Sequence, residues 1–221
     1  MKQHLRAGSF RAILFDIDNT LYRDDRYAQW QIDVLVERFS HHRGIDLSAA
    51  ETLIENTRAE ITSRNGRRPS LGNTMEELGI SIPMGVEWRR ELVDPYRFLH
   101  PDPELSALLQ QLSTSYRLAA LTNNPADVGR DSLKALGLSE QFPLVVGLDT
   151  TWHSKPDWQP FHAALAAVEC SPQETLMVGD RFDVDIAPLL DHGGSGIVVE
   201  RRADLFSIPA LLESAGNRAV P

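Results

Sequence analysis

An apolar run that stops at two aspartates constrains this chain most. Ala12-Ile13-Leu14-Phe15 leads directly into Asp16-Ile17-Asp18-Asn19-Thr20-Leu21. A short, uninterrupted apolar run bounded by polar residues is the pattern of a strand buried on both faces, as in a parallel sheet. Ligands of open parallel sheets bind just outside the carboxyl ends of the strands, which is where Asp16 and Asp18 would stand. Ile17 turns the other way, so both carboxylates can face one site. The same residues also fit an acidic turn built on Asn19-Thr20. The stretch by itself leaves both readings open.

Beyond the run the chain changes character twice. From Arg23 to about Pro95 the pattern is helical and without a convincing strand. Tyr27, Trp30, Val34, Leu35 and Phe39 recur at helical spacing. Ser48-Ala49-Ala50-Glu51 matches a capping box, and Ala50, Leu53, Ile54, Thr57 and Ile61 form one apolar face behind it. The basic segment Arg64-Asn65-Gly66-Arg67-Arg68-Pro69 breaks that pattern, and two shorter helices are expected near 73–78 and 86–92. From His100 onward strands and helices alternate. Strands are expected at 116–121, 143–146, 175–178 and 196–199. Helices are expected at 103–112, from Asn124-Pro125 to Leu136, and at 156–168, 183–190 and 207–214. Asparagine suits the N-cap and proline the first turn of the second of these. Residues 1–10 read as a frayed tail. Alternation of this kind implies a parallel sheet with helices on both faces. The expected fold class is therefore α/β, a Rossmann-like parallel core with an inserted α-helical segment. The core takes residues 1–22 and 96–221, and the insertion residues 23–95.

Composition excludes several functions. Net charge is −9 in 221 residues, against the basic surface that a nucleic acid polymer or an anionic membrane would need. A small phosphorylated ligand needs only a local positive site and remains compatible. Cys170 is the sole cysteine, so no intrachain disulfide forms, which fits a reducing compartment. The first ten residues lack an apolar core of signal-peptide length, and no stretch has the length and apolarity of a membrane span. A cytoplasmic protein is the expectation; oligomeric state is not legible.

The residues at the strand ends converge on one chemistry. The first strand ends in Asp16 and Asp18. The second ends in Thr122, followed by Asn123 and Asn124. Lys155 follows the third, and the fourth ends in Gly179-Asp180, with Asp183 and Asp185 just beyond. Carboxylates gathered at one edge raise one another's pKa and need compensation. Lys155, one of only three lysines, and a hard divalent cation are natural compensators. Mg²⁺ takes oxygen ligands, commonly one or two carboxylates together with substrate phosphate. The set therefore asks for a phosphorylated ligand.

These four pieces resemble the four motifs of the haloacid dehalogenase superfamily. Phe15-Asp16-Ile17-Asp18-Asn19-Thr20-Leu21 is similar to its DxDxT motif. Thr122 closes the second motif, Lys155 is the third, and Gly179-Asp180 through Asp185 is the fourth. The resemblance implies a Mg²⁺-dependent phosphohydrolase with a helical C1-type cap over residues 23–95. It makes Asp16 the nucleophile and Asp18 the general acid and base. It implies that Asp16, the Asp18 carbonyl and Asp180 hold the metal, that Thr122, Asn123 and Lys155 hold the phosphoryl group, and that Asp185 orients Lys155 or metal-bound water. Asp183 competes with Asp185 for the last role; spacing favours Asp185. Dehalogenases of the superfamily lack the acid/base aspartate, so Asp18 favours phosphoryl transfer. The absence of any lysine from the insertion argues against phosphonate cleavage. Phe15–Tyr22 and, more loosely, Leu71-Gly72-Asn73-Thr74-Met75 are similar to the pyrimidine 5′-nucleotidase subgroup, which implies a nucleoside 5′-monophosphate as a candidate substrate. Tyr22, Arg64, Arg67, Arg68 and Asn73 are candidates for contacting the leaving group. A sugar phosphomutase and a non-catalytic phospholigand-binding protein on the same scaffold are the alternatives.

Overall fold

The computed structural model describes residues 1–6 and 8–214. The chain divides into two compact units, one formed by Met1–Asp24 with Pro95–Pro221 and the other by Asp25–Asp94.

Among the described residues the first unit is built on a six-stranded sheet. Its strands are β1 (Lys2–His4), β2 (Ala12–Phe15), β3 (Arg117–Leu121), β4 (Leu144–Val146), β5 (Thr175–Gly179) and β6 (Ser195–Val198), in the spatial order β1-β6-β5-β2-β3-β4. All neighbours are parallel except β1, which runs antiparallel to β6. The fold is thus α/β, mostly parallel and doubly wound. β2 sits centrally, Phe15 pairing with Ala120 on one side and Val178 on the other. From β2 the chain adds β3 and β4 in one direction, then crosses back to add β5 and β6. A crevice between β2 and β5 results, and such a reversal of strand order is where ligands bind in this architecture. Every residue of β2 and β5 is buried. That explains why both read as continuous apolar runs rather than alternating ones. One core cluster joins Leu14, Leu121, Met177, Phe161 and Ile186 across the sheet.

Three local expectations give way in this unit. Residues 1–10 are not all tail, because Lys2–His4 pairs with Gly196–Val198. This three-residue edge strand is largely exposed and carries no apolar signal. Asn124 does not cap the next helix: the helix spans Ala126–Ala135, with Pro125 at the N-cap position and no side-chain cap. The segment after β5 begins as a π-helix, Phe182–Ile186, and only then becomes α-helical over Ala187–Asp191.

The second unit contains helices Asp25–Arg43, Leu47–Asn65, Leu71–Glu77 and Ile82–Leu92, around Leu35, Phe39, Ile54, Met75 and Trp88. Its second helix starts earlier than the expected capping box. Asp46 is the cap, its carboxylate accepting from the Ala49 N–H at 2.8 Å, and Ser48 lies inside the helix. Both residue types satisfy the free N–H groups of a first turn, and the aspartate, placed two residues earlier, does so here. Leu53, expected on the apolar face, is 37% exposed.

Candidate active site

β2 delivers Asp16 to the crevice. Its N–H donates to the Val178 carbonyl at 2.9 Å, extending the pairing with β5 by one residue. The chain then turns: the N–H groups of Thr20 and Leu21 donate to the Ile17 carbonyl, at 3.3 and 3.0 Å. Asn19 sits in the left-handed region with φ 61°, a conformation that asparagine tolerates better than most residues. The turn folds the Thr20 hydroxyl back onto Asp16 Oδ2 at 2.8 Å and the Tyr22 hydroxyl onto Asp18 Oδ1 at 2.5 Å.

Lys155 is the centre of the buried charge. Its side chain is fully buried, with Nζ 2.6 Å from Asp16 Oδ1 and 2.7 Å from Asp185 Oδ1. It also donates to the Leu121 carbonyl at 2.9 Å, so its three protons have three acceptors. Asn123 fixes the backbone of this lysine from both sides. Asn123 Oδ1 accepts from the Lys155 N–H at 2.7 Å, and Asn123 Nδ2 donates to the Lys155 carbonyl at 3.1 Å. The side-chain amide of Asn123 is therefore engaged with the Lys155 backbone on both its oxygen and its nitrogen.

Asp185, rather than Asp183, supplies the second buried carboxylate. Asp185 is buried, its Oδ2 accepting from the Arg181 N–H at 3.0 Å, whereas Asp183 is exposed. The π-helical turn aims Asp185 back against β5. A Cβ on Gly179 would lie 2.4 Å from the Asp185 Cβ, so this close approach requires glycine.

Burial raises the Asp16 carboxyl to about 7; the Lys155 ammonium opposes the shift, and Asp185 and Asp18 add to it. Burial likewise raises Asp180, with Asp185 adding and Arg181 opposing, to about 6. For Lys155 burial acts in the lowering direction, but Asp16 and Asp185 outweigh it and keep the ammonium above its ordinary value. Carboxylates thus outnumber the one buried ammonium. Carboxylate oxygens of Asp16, Asp180 and Asp185 lie within 4.8 Å of one another. An all-oxygen set carrying excess negative charge fits a hard divalent cation such as Mg²⁺. Asp180, half-buried with Arg181 Nε 3.8 Å away, suits direct coordination. Asp185, its side chain fully buried between the Lys155 ammonium and the Arg181 N–H, suits orientation.

Asp18 is held differently. It is half-buried. Its Oδ1 accepts from Tyr22, and its Oδ2 accepts from Asn124 Nδ2 at 3.1 Å and from the Thr122 hydroxyl at 3.3 Å. Asn124 is a contact that helix-start statistics obscured, since the residue reads as a cap. Thr20 was visible only as the last letter of a motif. The candidates in the helical unit are engaged locally. Arg64 pairs with Glu77 at 2.7 Å, Arg68 with Glu55 at 2.9 Å, and Asn73 Oδ1 accepts from the Ser70 hydroxyl at 3.0 Å. Arg67 is exposed.

The sheet is mostly parallel with a buried Asp–Lys–Asp cluster at its strand reversal, and the chain belongs to the haloacid dehalogenase-like hydrolases. The profile of that family matches residues 13–187, from β2 through the fourth strand-end cluster. Among individual relatives, the glyceraldehyde 3-phosphate phosphatase of Methanothermobacter thermautotrophicus is 29% identical over 199 residues, covering 86% of this chain and 85% of that protein. The pyrophosphatase PpaX of Listeria monocytogenes serotype 4a is 25% identical over 183 residues, covering 80% and 77%. Of solved structures, a HAD phosphatase from Thermococcus onnurineus shares the fold at TM-score 0.60 and 20% identity, over 96% of this chain and all of that one.

Proposed function

We propose that this chain is a Mg²⁺-dependent phosphatase of small phosphorylated metabolites, working through an aspartyl-phosphate on Asp16. The observation that carries the reading is the Asp16 carboxylate, buried and oriented by Lys155 on one oxygen and Thr20 on the other, with Asp18 two residues on. A carboxylate needs no base to become a nucleophile. Asp16 attacks phosphorus as the ester oxygen departs, and Asp18 delivers a proton to that oxygen. Water then attacks the phosphoryl group, Asp18 takes the water proton, and inorganic phosphate leaves with Asp16 restored. Lys155 offsets charge on the nucleophile and the phosphoryl oxygens. The backbone at Thr122-Asn123, with the Thr122 hydroxyl, lies on the second strand end and supplies donors to those oxygens. Asn123 acts by positioning Lys155. A bound Mg²⁺, held by Asp16, Asp180 and the Asp18 carbonyl, supplies the remaining positive charge. The helical unit Asp25–Asp94 is the segment we assign to substrate selection.

The names of the relatives support triose phosphates and pyrophosphate as first substrates to test. Nucleoside 5′-monophosphates are a second reading, resting on the likeness of Phe15–Tyr22 and Leu71–Met75 to the nucleotidase subgroup. The test is phosphate release, with Mg²⁺ and with EDTA, from glyceraldehyde 3-phosphate, pyrophosphate, phosphoglycolate, CMP, UMP and hexose phosphates. Release that depends on Mg²⁺ and is lost in Asp16→Asn is the expected result. Isomerisation of a hexose phosphate without net release would show a mutase. Binding without turnover of any ester would show a phospholigand-binding protein.

A further inference from the structure

We infer that Tyr22 and Asn124 are positioning residues for Asp18, and that they set how well this site expels poor leaving groups. The inference rests on the phosphatase reading and deepens it. Asp16 is buried and fixed by a cation, whereas Asp18 accepts from a neutral donor on each of its two oxygens. Tyr22 takes Oδ1 at 2.5 Å, while Asn124 takes Oδ2 at 3.1 Å with Thr122 at 3.3 Å. Donors on both oxygens fix the rotation of a carboxylate about its last torsion as well as its position. A single donor would leave it to swing.

The three donors are not equivalent. Thr122 has one hydroxyl proton. Its oxygen already accepts from the Asn124 N–H at 3.1 Å, and its contact with Asp18 is the longest of the three. When that proton turns to a phosphoryl oxygen, Asp18 keeps Tyr22 and Asn124. These two therefore hold the carboxylate during the reaction. Local structure places both. The turn at Asn19 carries Tyr22 back over Asp18, the two residues forming an isolated bridge. Because the helix after β3 begins at Ala126 behind Pro125, the Asn124 side chain is not consumed as a helix cap.

A group that only orients a general acid leaves a specific signature. Aryl esters with good leaving groups need little proton donation, whereas alkyl esters need it fully. A displacement of the acid by about 1 Å costs on the order of 10²-fold in a step that needs it. The experiment measures kcat/KM for a primary alkyl phosphate and for p-nitrophenyl phosphate in wild type, Tyr22→Phe, Asn124→Ala and Asp18→Asn. The expected result is that the alkyl-to-aryl ratio of kcat/KM falls by about tenfold or more in Tyr22→Phe, by less in Asn124→Ala, and furthest in Asp18→Asn. Loss of packing alone would lower activity toward both esters together and leave the ratio as in wild type. An unchanged ratio in both variants, with wild type active, overturns the inference and leaves the phosphatase reading standing. Should Tyr22→Phe fail to fold, the ratio in Asn124→Ala decides. A wild type that releases phosphate from other compounds of the panel but from neither ester overturns this inference alone, and one that releases it from none overturns the phosphatase reading with it.

Discussion

The strand-end edge of the sheet and the helical unit Asp25–Asp94 both carry ion pairs, and they handle charge in opposite ways. At the edge, Lys155 and Asp185 have fully buried side chains and Asp16 nearly so. In the helical unit, Arg64–Glu77 and Arg68–Glu55 are more than 45% exposed on both partners. Burying charge is costly and is tolerated only with close partners, and removing one partner then strands the other. Exposed pairs are screened by water and contribute little. Pairs of the first kind belong where charge must act on a ligand. The second kind decorates a surface, whatever its arginine content. The basic cluster at 64–68 reads in sequence as a candidate ligand contact, yet Arg64 and Arg68 already have glutamate partners within the unit.

The sharpest test of the edge is Asp16→Asn. Phosphate release should fall by at least about 10³-fold, with the fold retained by circular dichroism; residual activity near wild type would remove the nucleophile from the scheme. Next is Lys155→Met, which leaves Asp16 and Asp185 facing each other without their cation. At pH 7.5 urea unfolding should show a loss of about 3–5 kcal/mol. That loss should shrink at pH 5, where the carboxylates are able to protonate. A pH-independent loss would mean that the lysine acts by packing alone.

A third test reads the edge through pH. Asp16 and Asp180 hold protons up to about 7 and about 6 in the fold, against 3.8 ordinarily. Between those values the native state binds more protons than the unfolded one. Stability without metal should therefore be full below about pH 4 for these two groups and fall as pH rises toward 7. Glu174, lowered to about 2 by the Ser171 backbone and side chain and by Arg11, acts in the opposite sense at more acid pH. Melting temperatures in EDTA should thus drop from pH 5 to 7.5. The slope should flatten in Asp16→Asn and in Asp180→Asn, and Mg²⁺ should raise the melting temperature more at pH 7.5 than at pH 5. The smallest effect is expected in the helical unit: Arg68→Ala should change stability by under about 1 kcal/mol and leave KM unaltered. A raised KM would break the comparison by making that exposed pair part of substrate recognition.

Much of the edge was legible because its signals are local. Buried strands such as 12–15 and 175–179 appear as unbroken apolar runs, and the residues beyond them are named by position alone. Edge strand 2–4 was not legible, because three exposed residues pair only through their backbone. Asp46 in place of Ser48 as a cap, and the π-turn at 182–186, turn on energy differences that neighbouring side chains decide.

The aspartate pair Asp16-Ile17-Asp18 shows where the division falls. The sequence alone determined that two carboxylates follow a buried strand and that Thr122, Lys155 and Asp180 stand at the ends of its neighbours. Only the tertiary structure decided how each is used. It put Lys155 between Asp16 and Asp185, selected Asp185 over Asp183, turned Asn123 onto the lysine backbone, and gave Asp18 to Tyr22 and Asn124. A strand end fixes where a Cα lies. The partner that a side chain finds depends on which atoms the other strands bring within about 3 Å of it, and that is settled only when the sheet closes.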